Sequence, residues 1–279
     1  MRGLTSLSAD RHQAGLFLLL AFAFIFLEFA YSRLSHHEDR HDAKEMLASF
    51  GVAIGNVVVK ALSSTVAAVP FVFAVEHRLF EITLDTLWKW GALFLGVEFC
   101  YYWFHRASHR VRWLWATHAV HHSATRFNLS AAIRLGWTGQ LTGVFVFFLP
   151  LAWLGFPPPA IAAMLGLGLV YQFFLHTALP VNLGPLEEIL NTPRHHQVHH
   201  ASNAGCLDKN YGSVLIVFDK MFGTFAAPPA NETLTFGVKG RSPTRNPVVI
   251  ALREWIYLLS DMRTQPRLLK KIRIVFGPP

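Results

Sequence analysis

Apolar residues in this 279-residue chain are bunched into five long runs, and each run predicts a helix rather than an alternating strand. The first extends from Ala14 to Tyr31, with one charge, Glu28, near its end. The second, Leu47 to Val75, is long enough for one tilted helix. Asn56 and Lys60 interrupt it, so a kinked or re-entrant segment is the alternative. The third, Leu87 to Phe104, carries Lys89 and Glu98 and runs directly into His105. The fourth and fifth, Trp137 to Gly155 and Ala160 to Pro180, are separated by the breaker Phe156-Pro157-Pro158-Pro159. Runs of about 18 or more apolar residues read as membrane-spanning helices.

Composition strengthens that reading. Hydrophobic residues make up 52% of the chain and charged residues only 15%, against roughly 25% charged in ordinary soluble domains. The first run has no small-residue cleavage site, because Glu28 and Tyr31 stand where one would fall, and it reads as an uncleaved anchor. The two cysteines, Cys100 and Cys206, form neither a disulfide framework nor a C-x-x-C pair. The expected fold is therefore all-α: a polytopic membrane protein with about four to five transmembrane helices.

The net charge of +8 is unevenly placed. From Asn191 onward there are twelve Lys and Arg against five Asp and Glu, and five arginines but no acid lie between His105 and Arg134. Basic segments beside membrane helices stay on the cytoplasmic side, and a hairpin of the fourth and fifth runs would return the chain to that face. A helical cap on the cytoplasmic face follows. Basic residues at such a face suit anionic headgroups. Nucleic-acid binding, the other common meaning of a high isoelectric point, has no recognition motif here.

Nine of the fifteen histidines fall into a pattern: His105 and His109; His118, His121 and His122; His176; and His196, His199 and His200. The spacings are H-x-x-x-H and twice H-x-x-H-H. Residues three or four apart share a helix face, so His105/His109, His118/His122 and His196/His200 form ready pairs. Imidazole is the commonest protein ligand for transition metals. The eight clustered imidazoles exceed what one metal uses, which points to a two-metal centre. Zinc, copper, iron and nickel all accept imidazole. Catalytic zinc uses three protein ligands and would leave most of these idle, whereas two irons would use the whole set. Soluble di-iron bundles rely on Glu and Glu-x-x-His ligands, and acids are missing from these clusters. His176 stands at the cytoplasmic end of the fifth run and His195 adjoins the last cluster off its i, i+4 face, as an outer-shell candidate. His12, His77 and the loop Ser32 to Glu45, with His36, His37 and His41, read as solvated.

Three segments follow: residues 1–86 as anchor helices and charged loop, 87–225 as the domain carrying the chemistry, and 226–279 as a basic tail. The end of the tail, Arg263 to Arg273, suits either an amphipathic helix on the membrane surface or a solvated basic segment.

The residues Glu98-Phe-Cys-Tyr-Tyr-Trp-Phe-His105-Arg106, Leu114-Trp-Ala-Thr-His118-Ala-Val-His121-His122-Ser123 and Asn191-Thr-Pro-Arg-His195-His196-Gln-Val-His199-His200 resemble the fatty acid hydroxylase/sterol desaturase superfamily of integral-membrane di-iron oxygenases. The runs Asp208-Lys-Asn-Tyr-Gly212 and Phe218-Asp-Lys-Met-Phe-Gly-Thr-Phe225 look most like its alkylglycerol monooxygenase-like branch. The resemblance covers roughly Val97 to Phe225. It implies that His105, His109, His118, His121, His122, His196, His199 and His200 are iron ligands, that His176 matches a further family histidine, and that Asn128 and Arg134 fall in a shared stretch. Family members commonly have Asp where Glu98 stands, which makes Glu98 another outer-shell candidate.

The implied activity is hydroxylation or desaturation of a lipid C–H bond with O₂ and two electrons. The substrate would come from the bilayer, and the electrons from an external protein or small reductant, since no flavin or dinucleotide fingerprint is evident. A histidine-rich metal-binding or transport protein without oxygenase activity is the alternative. A haem protein would bury its axial histidines inside the spans, yet eight of the nine lie just outside them.

Overall fold

The structure, a computed structural model, describes residues 19–35, 41–177 and 179–279. Among these the chain is helical, with no strand and two isolated bridge pairs, Leu190–Leu215 and Ala201–Phe236. His12, His36, His37 and the first residues of the Ala14–Tyr31 run lie outside the described residues.

Helix α1 occupies residues 19–34. Helix α2, Ala43–Leu62, starts on Asp42, whose carboxylate accepts the amides of Lys44 and Glu45. The Leu47–Val75 run is two helices rather than one. It breaks at Ser63, whose hydroxyl lies 2.7 Å from Val59 O and 2.9 Å from Gln140 Oε1, and continues as α3, Ser64–Glu76. Helix α4, Leu87–Arg110, is the longest element among the described residues, at 24 residues. It is followed by α5, Arg112–His118, and the short α6, Leu129–Ala132.

The Trp137–Gly155 run corrects the expectation of a fourth span. Residues 137–143 form turns, Val144–Phe148 is a 3-10 segment, and only Leu149–Leu154 (α7) is α-helical. Tertiary anchors explain the difference. The Trp137 indole donates to Val52 O and fills the space that a side chain at position 55 would need. Trp113 donates to Thr142 O, and Gly143 turns with φ of 82°. The apolar piece from Val144 to Leu154 is about 20 Å long, short of the ~30 Å hydrocarbon core.

Helix α8, Pro158–Leu175, restores a full-length apolar helix, and with α2 it meets the length and apolarity of a membrane span. Helix α9, Pro193–His200, and α10, Val217–Met221, follow. Helix α11, Pro247–Thr264, packs on α5 and α2, and α12, Leu268–Phe276, also reaches α5. The main apolar core joins α4, α7 and α8 through Leu93, Val97, Phe148, Leu151 and Ile161.

Large apolar side chains are exposed along α1, α2, α3, α4 and α8, among them Leu27, Ile54, Val69, Leu95 and Leu167. Such a continuous apolar exterior on helices suits contact with lipid. His41 corrects the solvated-loop reading: its side chain is buried, 3.4 Å from the carboxylate of Glu28. Glu28 also accepts the Leu129 amide at 2.8 Å and the Thr177 hydroxyl at 2.7 Å, tying α1 to the ends of α6 and α8. His77 is exposed, as expected, and bonds Phe73 O.

Candidate metal centre

Four elements end at one place. The last two turns of α4 present His105 and His109, one above the other. Helix α5 stops at His118, and a 3-10 turn over His121–Ser123 then carries His121 and His122, so the H-x-x-H-H run is not one regular helix. His176 caps the C-terminus of α8. Helix α9 opens with Pro193 in its first turn, where no amide is needed, and delivers His196, His199 and His200 within 8 residues.

The nine histidines converge as two groups. His105, His109, His118, His122 and His199 form one, and His121, His176, His196 and His200 the other. Within each group, one nitrogen per residue lies within 4.8 Å of the others. The groups touch where the rings of His122 and His200 stack at 4.4 Å. Every pair spaced i, i+4 stays together. The middle histidine of each H-x-x-H-H run, His121 or His199, crosses to the opposite group.

Backbone carbonyls fix four of the rings. His105 Nδ1 bonds Tyr211 O at 2.7 Å, His199 Nδ1 bonds Lys209 O at 2.9 Å, His121 Nδ1 bonds Arg134 O at 3.3 Å, and His176 Nδ1 bonds Gln172 O at 2.7 Å. A carbonyl only accepts, so each Nδ1 carries the proton and each Nε2 presents a lone pair. His121 Nε2 and His176 Nε2 then face each other at 3.1 Å with no proton between them. Two opposed lone pairs repel, and a cation between them removes the conflict.

Similar nitrogen separations recur at 3.0 Å between His105 and His118 and at 3.1 Å between His176 and His196. Nitrogens bound about 2.1 Å from one ion and at right angles would lie about 3 Å apart. Nε2 of His109, His199 and His200 is buried without any hydrogen-bond partner. The donor set therefore fits metal ions. Burial pushes the imidazoles of His118, His122, His196, His199 and His200 well below the usual histidine range and that of His121 down to about 4. All six are neutral near pH 7, as ligation requires.

The supporting residues lie one layer out. Glu98 accepts the amides of Val214 and Leu215 at 2.9 and 2.8 Å. Asp219, fully buried, accepts Tyr211 N at 2.8 Å, Gly212 N at 2.7 Å and the Thr224 hydroxyl at 2.7 Å. Asn191 Nδ2 donates to Gly212 O at 2.6 Å. Together they pin the loop whose Lys209 and Tyr211 carbonyls orient His199 and His105. Arg134 is fully buried, and its guanidinium donates to Ser49 Oγ, Ser123 Oγ and Glu45 O while its own carbonyl takes His121. Asn128 caps α6, accepting the Ser130 amide at 3.0 Å. The His195 ring lies outside both groups, against Phe225 at 5.3 Å.

Asp219, Asn191 and the four carbonyls were not singled out as site residues by sequence reasoning. Backbone acceptors leave no trace in residue identity. The Asp219 signal was a lone acid inside the Phe218–Phe225 run.

A polar cavity of about 410 Å³ reaches His109, His122, His199 and His200 between Arg112, Asp208 and Arg241. A second cavity, of about 560 Å³, is apolar and lies between α1 and α8, lined by Phe24, Leu27, Phe174 and Leu175, with Thr177 beside His176.

The fatty acid hydroxylase family pattern matches residues 90–224. Human alkylglycerol monooxygenase is 43% identical over 204 residues, 73% of this chain and 45% of that protein. The Caenorhabditis elegans alkylglycerol monooxygenase is 30% identical over 266 residues, 92% of this chain and 52% of that protein. An ornithine lipid hydroxylase of Rhizobium tropici is 33% identical over 147 residues, 52% of this chain and 44% of that protein. The chain thus spans about half the length of the curated relatives it matches. No solved structure gives a significant match. With its histidine runs inside the matched region, the chain resembles the fatty acid hydroxylase family, and within it the alkylglycerol monooxygenase-like branch.

Proposed function

We propose that this chain is a membrane-bound, non-haem di-iron oxygenase that hydroxylates a C–H bond of a lipid. The observation that carries the reading is the convergence of nine imidazoles, seven buried and two half-buried, into groups of five and four, with four of the lone pairs turned inward by backbone carbonyls. His105, His109, His118, His122 and His199 would hold one iron, and His121, His176, His196 and His200 the other. Iron bound there supplies O₂ activation and attack on an unactivated C–H bond, with two electrons drawn from an external protein or small reductant.

The protein's own residues supply the rest. Neutral imidazoles hold the ions, while Asp219, Glu98 and Arg134 fix the carbonyls that aim them. The apolar cavity between α1 and α8 would take the hydrocarbon part of the substrate from the bilayer. The polar cavity opens toward Arg112 and Arg241 on the opposite chemistry, and gives water-soluble groups a route to the histidines. Hydroxylation is favoured over desaturation because the relatives' names are those of a monooxygenase and a hydroxylase.

In the membrane, α1, α2 with α3, α4 and α8 would provide about four spans. The histidine layer and the basic tail would then form the cytoplasmic cap. The proposed division is anchor 1–86, catalytic domain 87–225 and tail 226–279.

The test is elemental analysis after anaerobic reconstitution with ferrous iron, beside a His121→Ala, His199→Ala double variant that removes one ligand from each group. The expected result is two irons per chain, lost in the variant, and O₂ uptake dependent on iron and lipid. A wild-type chain that stays metal-free sinks the proposal. Metal binding without O₂ consumption under any reductant selects the metal-binding alternative.

A further inference from the structure

Helix α12 leaves most of its apolar side chains uncovered. Ile274 and Val275 are half-buried, and the helix packs on α5. Leu268, Leu269, Ile272 and Phe276 are exposed, Leu269 by 76% and Phe276 by 65%. At about 100° per residue these four fall within roughly 100° of arc, a single stripe along the helix. The surrounding charge has one sign: Arg263, Arg267, Lys270, Lys271 and Arg273 stand in residues 262–279, with no Asp or Glu among them.

The helix is also fastened at a defined level. The amide of Arg112 donates to Gly277 O at 2.9 Å, and the Arg112 guanidinium pairs with Asp261 at the end of α11. Arg112 follows directly on α4. With about 30 Å of hydrocarbon to cross, the first 20 or so residues of α4 suffice, so its Arg110 end emerges at the boundary between hydrocarbon and water. An amphipathic helix held there, with an apolar stripe and unopposed cations, meets the requirements for lying in the headgroup layer.

We propose that α12 seats its Leu268–Leu269–Ile272–Phe276 stripe in an anionic bilayer surface, with Lys270, Lys271 and Arg273 on the lipid phosphates. The occupant is lipid because charge complementarity selects it: anionic headgroups neutralise a cluster that has no acid within residues 262–279. Seating has a consequence for the site. Pro278 and Pro279, immediately beyond α12, line the polar cavity that reaches His109 and His199. A docked α12 therefore holds one wall of that cavity in place. The proposal rests on the membrane reading given above.

The experiment uses the full chain in lipid nanodiscs, one chain per disc, with Leu269→Cys labelled by an environment-sensitive fluorophore. Cys100 and Cys206 are buried and leave the label site-selective. Discs of purely zwitterionic lipid are compared with discs containing anionic lipid, both with lipid-borne quencher. Anionic lipid should increase quenching at least ~3-fold, and about 0.5 M salt should reverse the gain. A Lys270→Glu, Lys271→Glu, Arg273→Glu variant should abolish it.

A label equally exposed to water in both discs overturns the proposal. So does protection that ignores lipid charge and charge reversal, which would mean that the chain itself covers the stripe. Protection that appears only with two chains per disc assigns the stripe to a second copy and overturns it too. Flotation with zwitterionic vesicles after alkaline washing reports the spanning helices alone. Failure there refutes the membrane reading itself, whereas normal flotation with an unresponsive label refutes only the seating of α12.

Discussion

Replacing Asp219 by asparagine isolates the outer layer of the metal centre without touching a proposed ligand. The carboxylate is fully buried and accepts three hydrogen bonds, from Tyr211 N and Thr224 Oγ1 on one oxygen and Gly212 N on the other. An amide keeps the volume and removes both the charge and one acceptor. Whichever way it turns, its NH₂ group meets a backbone N–H, donor against donor. One buried amide left without an acceptor costs about 1–3 kcal/mol, and loss of charge assistance in the surviving bonds brings the total to about 2–4 kcal/mol. The Tyr211 carbonyl shifts with its amide, loosening the 2.7 Å bond that orients His105. Losing such an outer partner lowers metal affinity by about 10–100-fold. Thermal unfolding of the apo chain in detergent measures the first quantity. Anaerobic cobalt(II) titration, followed by the ligand-field bands, measures the second. An asparagine variant that melts and binds cobalt like wild type would refute the argument that this carboxylate holds the loop.

Arg134→Lys should cost about 3–5 kcal/mol, because one ammonium cannot reach Ser49, Ser123 and Glu45 together, and a fall in melting temperature with reduced metal content checks it. Gly212→Ala places a Cβ 2.2 Å from Leu215 O, so the loop must move. About 1–3 kcal/mol of destabilisation and faster proteolysis near residue 212 are expected. Stripping metal with a chelator at neutral pH should lower the melting temperature, since a ligand at about 1,000 times its dissociation constant stabilises by about 4 kcal/mol. Scanning fluorimetry with and without ferrous iron decides this, and identical curves would count against the ions contributing to stability.

The all-helical class and the convergence of the histidine runs were legible because both depend on local spacing. Imidazoles four apart share a helix face wherever that helix lies, and each such pair does stay within one group. The distribution between groups was not legible. It depends on α5 stopping at His118, so that His121 swings away on a 3-10 turn, and on the angle at which α9 meets α4. The Trp137–Gly155 run misled for a related reason. Its hydropathy satisfies a span, but the Trp137 and Trp113 indole bonds and the turn at Gly143 are tertiary facts that hydropathy does not carry. Glu28 and His41 were read as an isolated charge and a solvated imidazole because their contact links residues on either side of a loop. Arg134 could be placed near the site from the stretch it occupies, but its burial among Ser49, Ser123 and Glu45 could not.

The exchange of His121 and His199 between the two groups makes the centre a clasp rather than two independent sockets. The turn that bears His121 and His122 feeds both groups, and so does α9, which bears His196, His199 and His200. In the proposed two-ion centre the first ion to arrive would order backbone that the second needs, and at limiting metal the population should divide into empty and doubly filled chains. Damage would work the same way in reverse: in the proposed two-ion centre, loss of either run would disarm both halves at once, and singly loaded chains should be scarce in a metal titration.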